Sequence, residues 1–226
     1  MRFLYSENAG EDDLALSGDR FARLKVRRVR VGETVKIRNL QDDNLYDYSV
    51  RDLGKSKAIL SLTKAALAPV LPARDIAVAW CVVDPKTIDK TLPALNEMGA
   101  GKLTLIWSEK SQRDFHLNLD RFDRIIIGSC EQCGRSRKMT IEIKELSVFA
   151  SENANAAVLD FGGAKLTHES MRDYVVIVGP EGGFGDGDYE TLKNPPRFSV
   201  DTPLTLRSET AILLIASLAA ACSPRR

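Results

Sequence analysis

The chain has 226 residues, with 32 Lys/Arg against 31 Asp/Glu and four cysteines. Its length suits one large or two small domains, and its balanced charge names no partner by itself. Cysteines in a chain of this kind are expected to be reduced thiols. The first residues, MRFLYSENAGEDDLAL, carry acids where an export signal needs an apolar core. The longest nearly apolar run, Ala211 to Cys222, is too short to cross a bilayer. A soluble, cytoplasmic chain with no membrane partner is expected.

Charge is unevenly spread. Residues 1–70 hold thirteen Lys/Arg against ten Asp/Glu, and residues 71–226 hold nineteen against twenty-one. Arg20, Arg23, Lys25, Arg27, Arg28 and Arg30 form a local basic patch with no acid among them. The same N-terminal region carries short alternating runs, FARLKVRRVRV, ETVKIRNL, LYDYSVRDL and KAILSLTKA, punctuated by Gly32, Gln41–Asn44 and Gly54. Period-two runs at this spacing predict a small antiparallel barrel or sandwich. AALAPVLPARD, with two prolines, reads as a linker.

From Ile76 the pattern changes. IAVAWCVV reads as a strand buried on both faces. Asp84 and Pro85 offer an N-cap and a first-turn proline to a helix with Ile88, Leu92, Leu95 and Met98 at helical spacing, ending at Gly99. Pro93 inside it predicts a kink or a shortened helix. KLTLIW reads as a strand, Leu119–Cys133 as a helix, and AAVLDFGG and YVVIVGPEGG as strands ending in glycine. This alternation argues a mostly parallel α/β sheet. Ser208 is predicted to cap a final helix, Glu209–Ala221, apolar on nearly every face and therefore buried in the core or against another subunit.

The segment VVIVGPEGGFGDGDYE places five glycines directly after a strand, with no lysine. A Walker loop needs Gly-Lys-Ser/Thr, and the dinucleotide fingerprint fails because Asp188 stands at its third glycine. Glu181, Asp186 and Asp188 would repel a phosphate. What remains is a strand end where backbone approaches a ligand closely. LDFGG is a second such end and VDTPLTLR lies at a third. Ligands of open α/β sheets sit at such carboxyl ends. Together the three would enclose an uncharged or cationic ligand; each could also be an ordinary turn.

CEQCGR supplies two cysteines, but a zinc site needs further ligands, and Cys81, Cys222, His116 and His168 are scattered. Leu119, Phe122, Ile126, Cys130 and Cys133 instead form one helical stripe that Gly134 ends, which makes the cysteines small core residues. A thiol oxidoreductase would require both to be reactive. Neither histidine lies near a nucleophile motif, so a hydrolytic triad has no support. Arg135, Arg137 and Lys138 form either a solvated face or, with the Arg20–Arg30 patch, a footprint for a phosphate backbone.

Three segments, EQCGRSRK, VIVGPEGGFGDGDYE and LTLRSETA, with a weaker match at VRRVRVGE, resemble the RsmE-type 16S rRNA uridine-N3 methyltransferases of the SPOUT superfamily. The resemblance implies an α/β fold: a SPOUT-type parallel sheet with a C-terminal trefoil knot over residues 71–226, preceded by a PUA-like, RNA-binding β-barrel over residues 1–70. It implies methylation of ring nitrogen N3 of a uridine of 16S rRNA near the decoding centre, by a homodimer that uses S-adenosylmethionine and no metal. Cofactor contacts are implied at Leu159, Phe161 and Gly162; at Val178, Gly179, Pro180, Gly182 and Gly183; and at Thr202, Leu204 and Leu206. A cationic sulfonium would explain the lack of lysine in the glycine loop.

Arg207 is the candidate for stabilising the anionic imide through a uracil carbonyl, or else a phosphate clamp. Glu181 and Glu209 would orient it or accept hydrogen bonds from cofactor or base, and Glu209 suits a helix N-terminus equally. RNA contacts are expected at Arg23, Arg28, Arg30, Arg135 and Arg137. The chain departs from the family pattern at Ala22, Pro93, Thr202 and Leu204. The departures at Thr202 and Leu204 keep a non-catalytic RNA-binding protein as the alternative.

Overall fold

The computed structural model describes residues 2–74 and 76–221. Contacts divide them into two compact units, one of residues up to Leu71 with Ile127–Lys138, the other of Pro72–Ile126 with the rest from Met139.

The elements run in order β1 Leu4–Tyr5, β2 Asp13–Ser17, α1 Gly18–Val26, β3 Thr34–Arg38, β4 Asn44–Leu53, β5 Lys57–Leu67, β6 Ile76–Cys81, α2 Pro85–Glu97, β7 Ala100–Trp107, α3 Leu119–Cys133, β8 Thr140–Glu145, α4 Leu146–Glu152, β9 Ala156–Lys165, α5 Ser170–Asp173, β10 Val175–Val178, α6 Asp186–Thr191, β11 Arg197–Ser199 and α7 Ser208–Ala221.

In the first unit, strands in the order β1-β3-β4-β5-β2 form a curled mixed sheet, antiparallel apart from the parallel β1–β3 pair. Alternation works as the period-two runs predict, because β2 buries Leu14 and Leu16 and exposes their neighbours. Residues 18–26 correct the sequence reading. FARLKV forms helix rather than strand, because only Phe21 and Leu24, three apart, are buried, while Asp19 and Arg23/Lys25 complement the helix dipole.

The EQCGRSR segment staples this unit. Buried Glu131 accepts the Tyr5 backbone N–H at 2.8 Å and pairs with Arg23. Gly134, at φ +97°, ends α3 with its N–H on the Cys130 carbonyl at 2.8 Å. Ser136 donates to Asp43 at 2.7 Å, and the Arg137 fork holds the same carboxylate at 2.8 Å. Cys130 is buried and Cys133 half-buried, as core residues of the stripe, but Leu119 at its start is exposed. Cys222 lies outside the described residues.

The second unit is built on a six-stranded sheet, β11-β9-β10-β6-β7-β8, parallel throughout. Its central strands are continuous apolar runs, buried along nearly their whole length, as expected of strands covered on both faces. Asp84 caps α2 by accepting the Lys86 N–H at 2.7 Å, with Pro85 in the first turn. Pro93 does not shorten this helix, which continues to Glu97. Ser208 is also placed differently from expectation. The Arg207 carbonyl accepts the first helical bond, from Ala211 N–H at 2.9 Å, so Ser208 lies inside α7 and its hydroxyl turns to other partners.

Candidate functional site

Parallel register sets the site. Val178, the last residue of β10, lies beside Leu159 of β9 and Trp80 of β6. LDFGG is not the strand end expected, since β9 continues to Lys165. It lies at the register shift between the pairs Val158–Arg197 and Ala164–Phe198, beside the VGPEGG segment that leaves the sheet after β10. On the far side of β9, β11 leads into residues 200–207. The LDFGG segment of β9 and the chain leaving β10 and β11 enclose a cavity of about 430 Å³, within the ~300–1,000 Å³ usual for small-molecule sites.

Of the residues expected to touch a cofactor, Leu159, Phe161, Gly162, Val178, Gly179, Pro180, Gly183, Thr202, Leu204 and Leu206 all line this cavity. Gly182 is not among them; a side chain there would meet Lys110 Cδ at 3.3 Å. Gly183 needs its glycine for backbone reasons, since it sits at φ +67° in a turn closed by its N–H on the Pro180 carbonyl at 2.9 Å. Phe161 and Leu204 are 74% and 71% exposed although they line the cavity, which leaves an apolar mouth. Thr202 organises its own segment by accepting the Leu204 N–H at 3.2 Å.

Arg207 and Glu181 also line the cavity, and Glu209 lies beside it with one carboxylate oxygen 3.9 Å from the Arg207 guanidinium. Sequence reading missed Asp160 and Ser208, both in the lining. Asp160 is oriented by the Phe161 N–H at 2.8 Å and by the Tyr189 hydroxyl, while the Arg197 guanidinium lies 4.0 Å over the Tyr189 ring. Burial, then the Asp160 carboxylate, pushes the Tyr189 phenol up to about 12. An acid between two apolar residues, Leu159 and Phe161, was the available signal.

The glycine loop contains no lysine, yet one reaches it. Lys110 Nζ donates to the carbonyls of Gly182 at 3.1 Å and Phe184 at 3.0 Å, and Lys110 is not part of the cavity lining. Asp188 does not face a ligand either. It is buried, bonding the N–H groups of Gly185 at 3.0 Å and Glu109 at 2.9 Å.

The basic residues of the first unit separate by role. Arg28 and Arg30 are exposed. Arg23 is held by Glu131 and Arg137 by Asp43, while Arg135 is buried with its Nε on the Arg137 carbonyl at 3.2 Å. Among the described residues no group of three or more His, Cys, Asp or Glu is placed to hold a metal, and no helix is long and apolar enough to cross a membrane.

Comparison with known proteins gives the family. Residues 70–220 match the RNA methyltransferase domain. A Helicobacter pylori protein named ribosomal RNA small subunit methyltransferase E is 36% identical over 224 residues, 97% of this chain and 99% of the relative. The chain belongs to the ribosomal RNA small subunit methyltransferase E family. The family's structures share its fold. One from Neisseria gonorrhoeae, bound to S-adenosyl methionine, aligns with a TM-score of 0.78 at 22% identity over 97% of this chain and 96% of that one. A Legionella pneumophila methyltransferase in complex with SAM aligns with a TM-score of 0.79 at 22% identity, over 97% of each chain.

Proposed function

We propose that this chain methylates ring nitrogen N3 of a uridine of 16S rRNA near the decoding centre, using S-adenosylmethionine, as a cytoplasmic homodimer without a metal. The observation that carries this reading is the cavity itself. The three segments that line it draw on the two family motifs in the second unit, VIVGPEGGFGDGDYE and LTLRSETA. In this reading residues 1–70 serve as a PUA-like RNA-binding domain, and residues 71–226 as a SPOUT domain whose C-terminal chain forms a trefoil knot.

The lining fits the cofactor. Leu159, Val178, Phe184 and Leu206 offer apolar surface, Asp160 and Glu181 offer negative charge, and no lysine stands in the wall. Strand-end backbone from Gly179 to Gly183 and from Thr202 to Leu206 would hold it. Bound there, S-adenosylmethionine supplies a methyl group already activated as a sulfonium.

Uridine N3 becomes nucleophilic once its imide proton leaves, so the protein must stabilise the resulting anion. Arg207 does this through its guanidinium, which faces a uracil carbonyl. Phe161 and Leu204 exclude water at the mouth, and Glu181 and Glu209 orient the arginine. Arg28 and Arg30 contact RNA phosphates, whereas Arg23, Arg135 and Arg137 act by shaping the surface that carries them.

Mass mapping of methylated nucleosides in 16S rRNA, with and without the protein, tests the reaction. An N3-methyluridine that appears only with the protein is the expected result, and an unchanged pattern overturns it. Calorimetry with S-adenosylmethionine separates a methyltransferase from a non-catalytic RNA binder, which would show no cofactor affinity.

A further inference from the structure

Ser208 stands next to Arg207 at the start of α7, and both line the cavity. Its hydroxyl bonds in both directions. It accepts the Trp80 indole N–H at 2.7 Å and donates to the Gly179 carbonyl at 2.6 Å. Trp80 is completely buried in β6, and Gly179 opens the glycine loop after β10. One oxygen thus joins a core strand, a cavity wall and the first turn of a helix.

The neighbouring arginine has little of its own to hold it. The Arg207 side chain is 83% exposed, and its contact with Glu209 is 3.9 Å long. Its backbone is fixed instead, because its carbonyl begins the α7 hydrogen-bond ladder and its successor is pinned on two sides. A buried indole N–H needs an acceptor, and Ser208 is the one it has.

We propose that Ser208 is a positioning residue for Arg207, its hydroxyl fixing the first turn of α7 against the glycine loop so that the arginine stands at the cavity. This rests on the role given to Arg207 above. A serine that only filled space would serve equally well as alanine. A serine that only stabilised the fold would affect turnover in any background.

The test is a double-mutant cycle read in single-turnover methylation of small ribosomal subunits with radiolabelled S-adenosylmethionine. Calorimetric cofactor affinity and thermal unfolding are measured in parallel. Ser208→Ala should slow methylation about tenfold in the wild-type background and add nothing to Arg207→Ala, as expected of groups that act as a unit. Ser208→Thr, which restores the hydroxyl, should recover the rate. Cofactor affinity should stay within a few-fold throughout.

Equal losses in both backgrounds, or a wild-type rate in Ser208→Ala, overturn the proposal. Should Ser208→Ala fail to fold, Trp80→Phe replaces it in the same cycle, with the same criteria. A wild-type protein that binds no S-adenosylmethionine would instead sink the functional reading itself. Binding and methylation with an additive cycle would sink only the role of Ser208.

Discussion

Asp188 and Glu109, 79 positions apart in sequence, are joined by a hydrogen bond of 2.9 Å from the Glu109 backbone N–H to the Asp188 carboxylate. The second oxygen of Asp188 accepts the Gly185 N–H, and the Glu109 carboxylate accepts the Gly187 N–H at 2.9 Å. With Lys110 on the Gly182 and Phe184 carbonyls, the turn after β7 braces the glycine loop through groups that do not line the cavity. Asp188→Ala should therefore cost about 1–3 kcal/mol, because buried donors lose their acceptor. It should also weaken S-adenosylmethionine binding. Thermal unfolding and calorimetry check both, and a variant with unchanged affinity would show that the brace is not needed for the loop.

The distinction between glycines of one loop was illegible in the sequence. Gly182 reads like its neighbours in GPEGGFG, but only the fold brings Lys110 against it. A side chain at Gly179 would instead press on the Phe184 ring at 3.1 Å, in the wall of the cavity. Gly179→Val should abolish cofactor binding, whereas Gly182→Ala, which meets only a flexible lysine stem, should bind within a few-fold of wild type. Titration calorimetry on both variants decides. The reverse order would place the ligand on the Lys110 side.

Much of the second unit was readable because its central strands are continuous apolar runs and α2 carries a cap and a first-turn proline at Asp84 and Pro85. The first helix was not. FARLKV mixes apolar and basic residues in a way that satisfies period two nearly as well as a three-residue spacing, and only packing of Phe21 and Leu24 decides. The pairing of side chains from distant segments, such as Asp160 with Tyr189 or Ser208 with Trp80, leaves no local pattern.

The basic patch illustrates the same limit with a measurable consequence. Arg28→Glu with Arg30→Glu should weaken RNA binding and flatten its dependence on salt, since phosphate contacts release counterions. Arg23→Glu should behave differently. It would set a second carboxylate beside buried Glu131, so its main effect should be loss of stability. RNA binding across a salt series, with melting curves for each variant, separates the two. An Arg23→Glu protein that melts normally would mean Glu131 does not depend on its partner.

Tyr189 links the cavity wall to alkaline pH. Burial and the Asp160 carboxylate both disfavour the phenolate, raising the group from 10.0 to about 12. Because the folded value is raised, the neutral phenol contributes stability that is complete below pH 10. That contribution is lost as pH climbs through about 12. Tyr46 and Tyr48 are also shifted upward, chiefly by burial, so the wild-type curve alone does not isolate Tyr189. The comparison with Tyr189→Phe does. That variant should lose one late tyrosinate from the ultraviolet titration, and its stability should fall less steeply between pH 10 and pH 12. At neutral pH it should also bind S-adenosylmethionine more weakly, since Asp160 keeps the Phe161 N–H but loses the hydroxyl that orients its other oxygen. A variant with the wild-type titration would disprove the Tyr189–Asp160 pairing. Normal affinity with an altered titration would show that the pairing holds but that the cofactor does not depend on it.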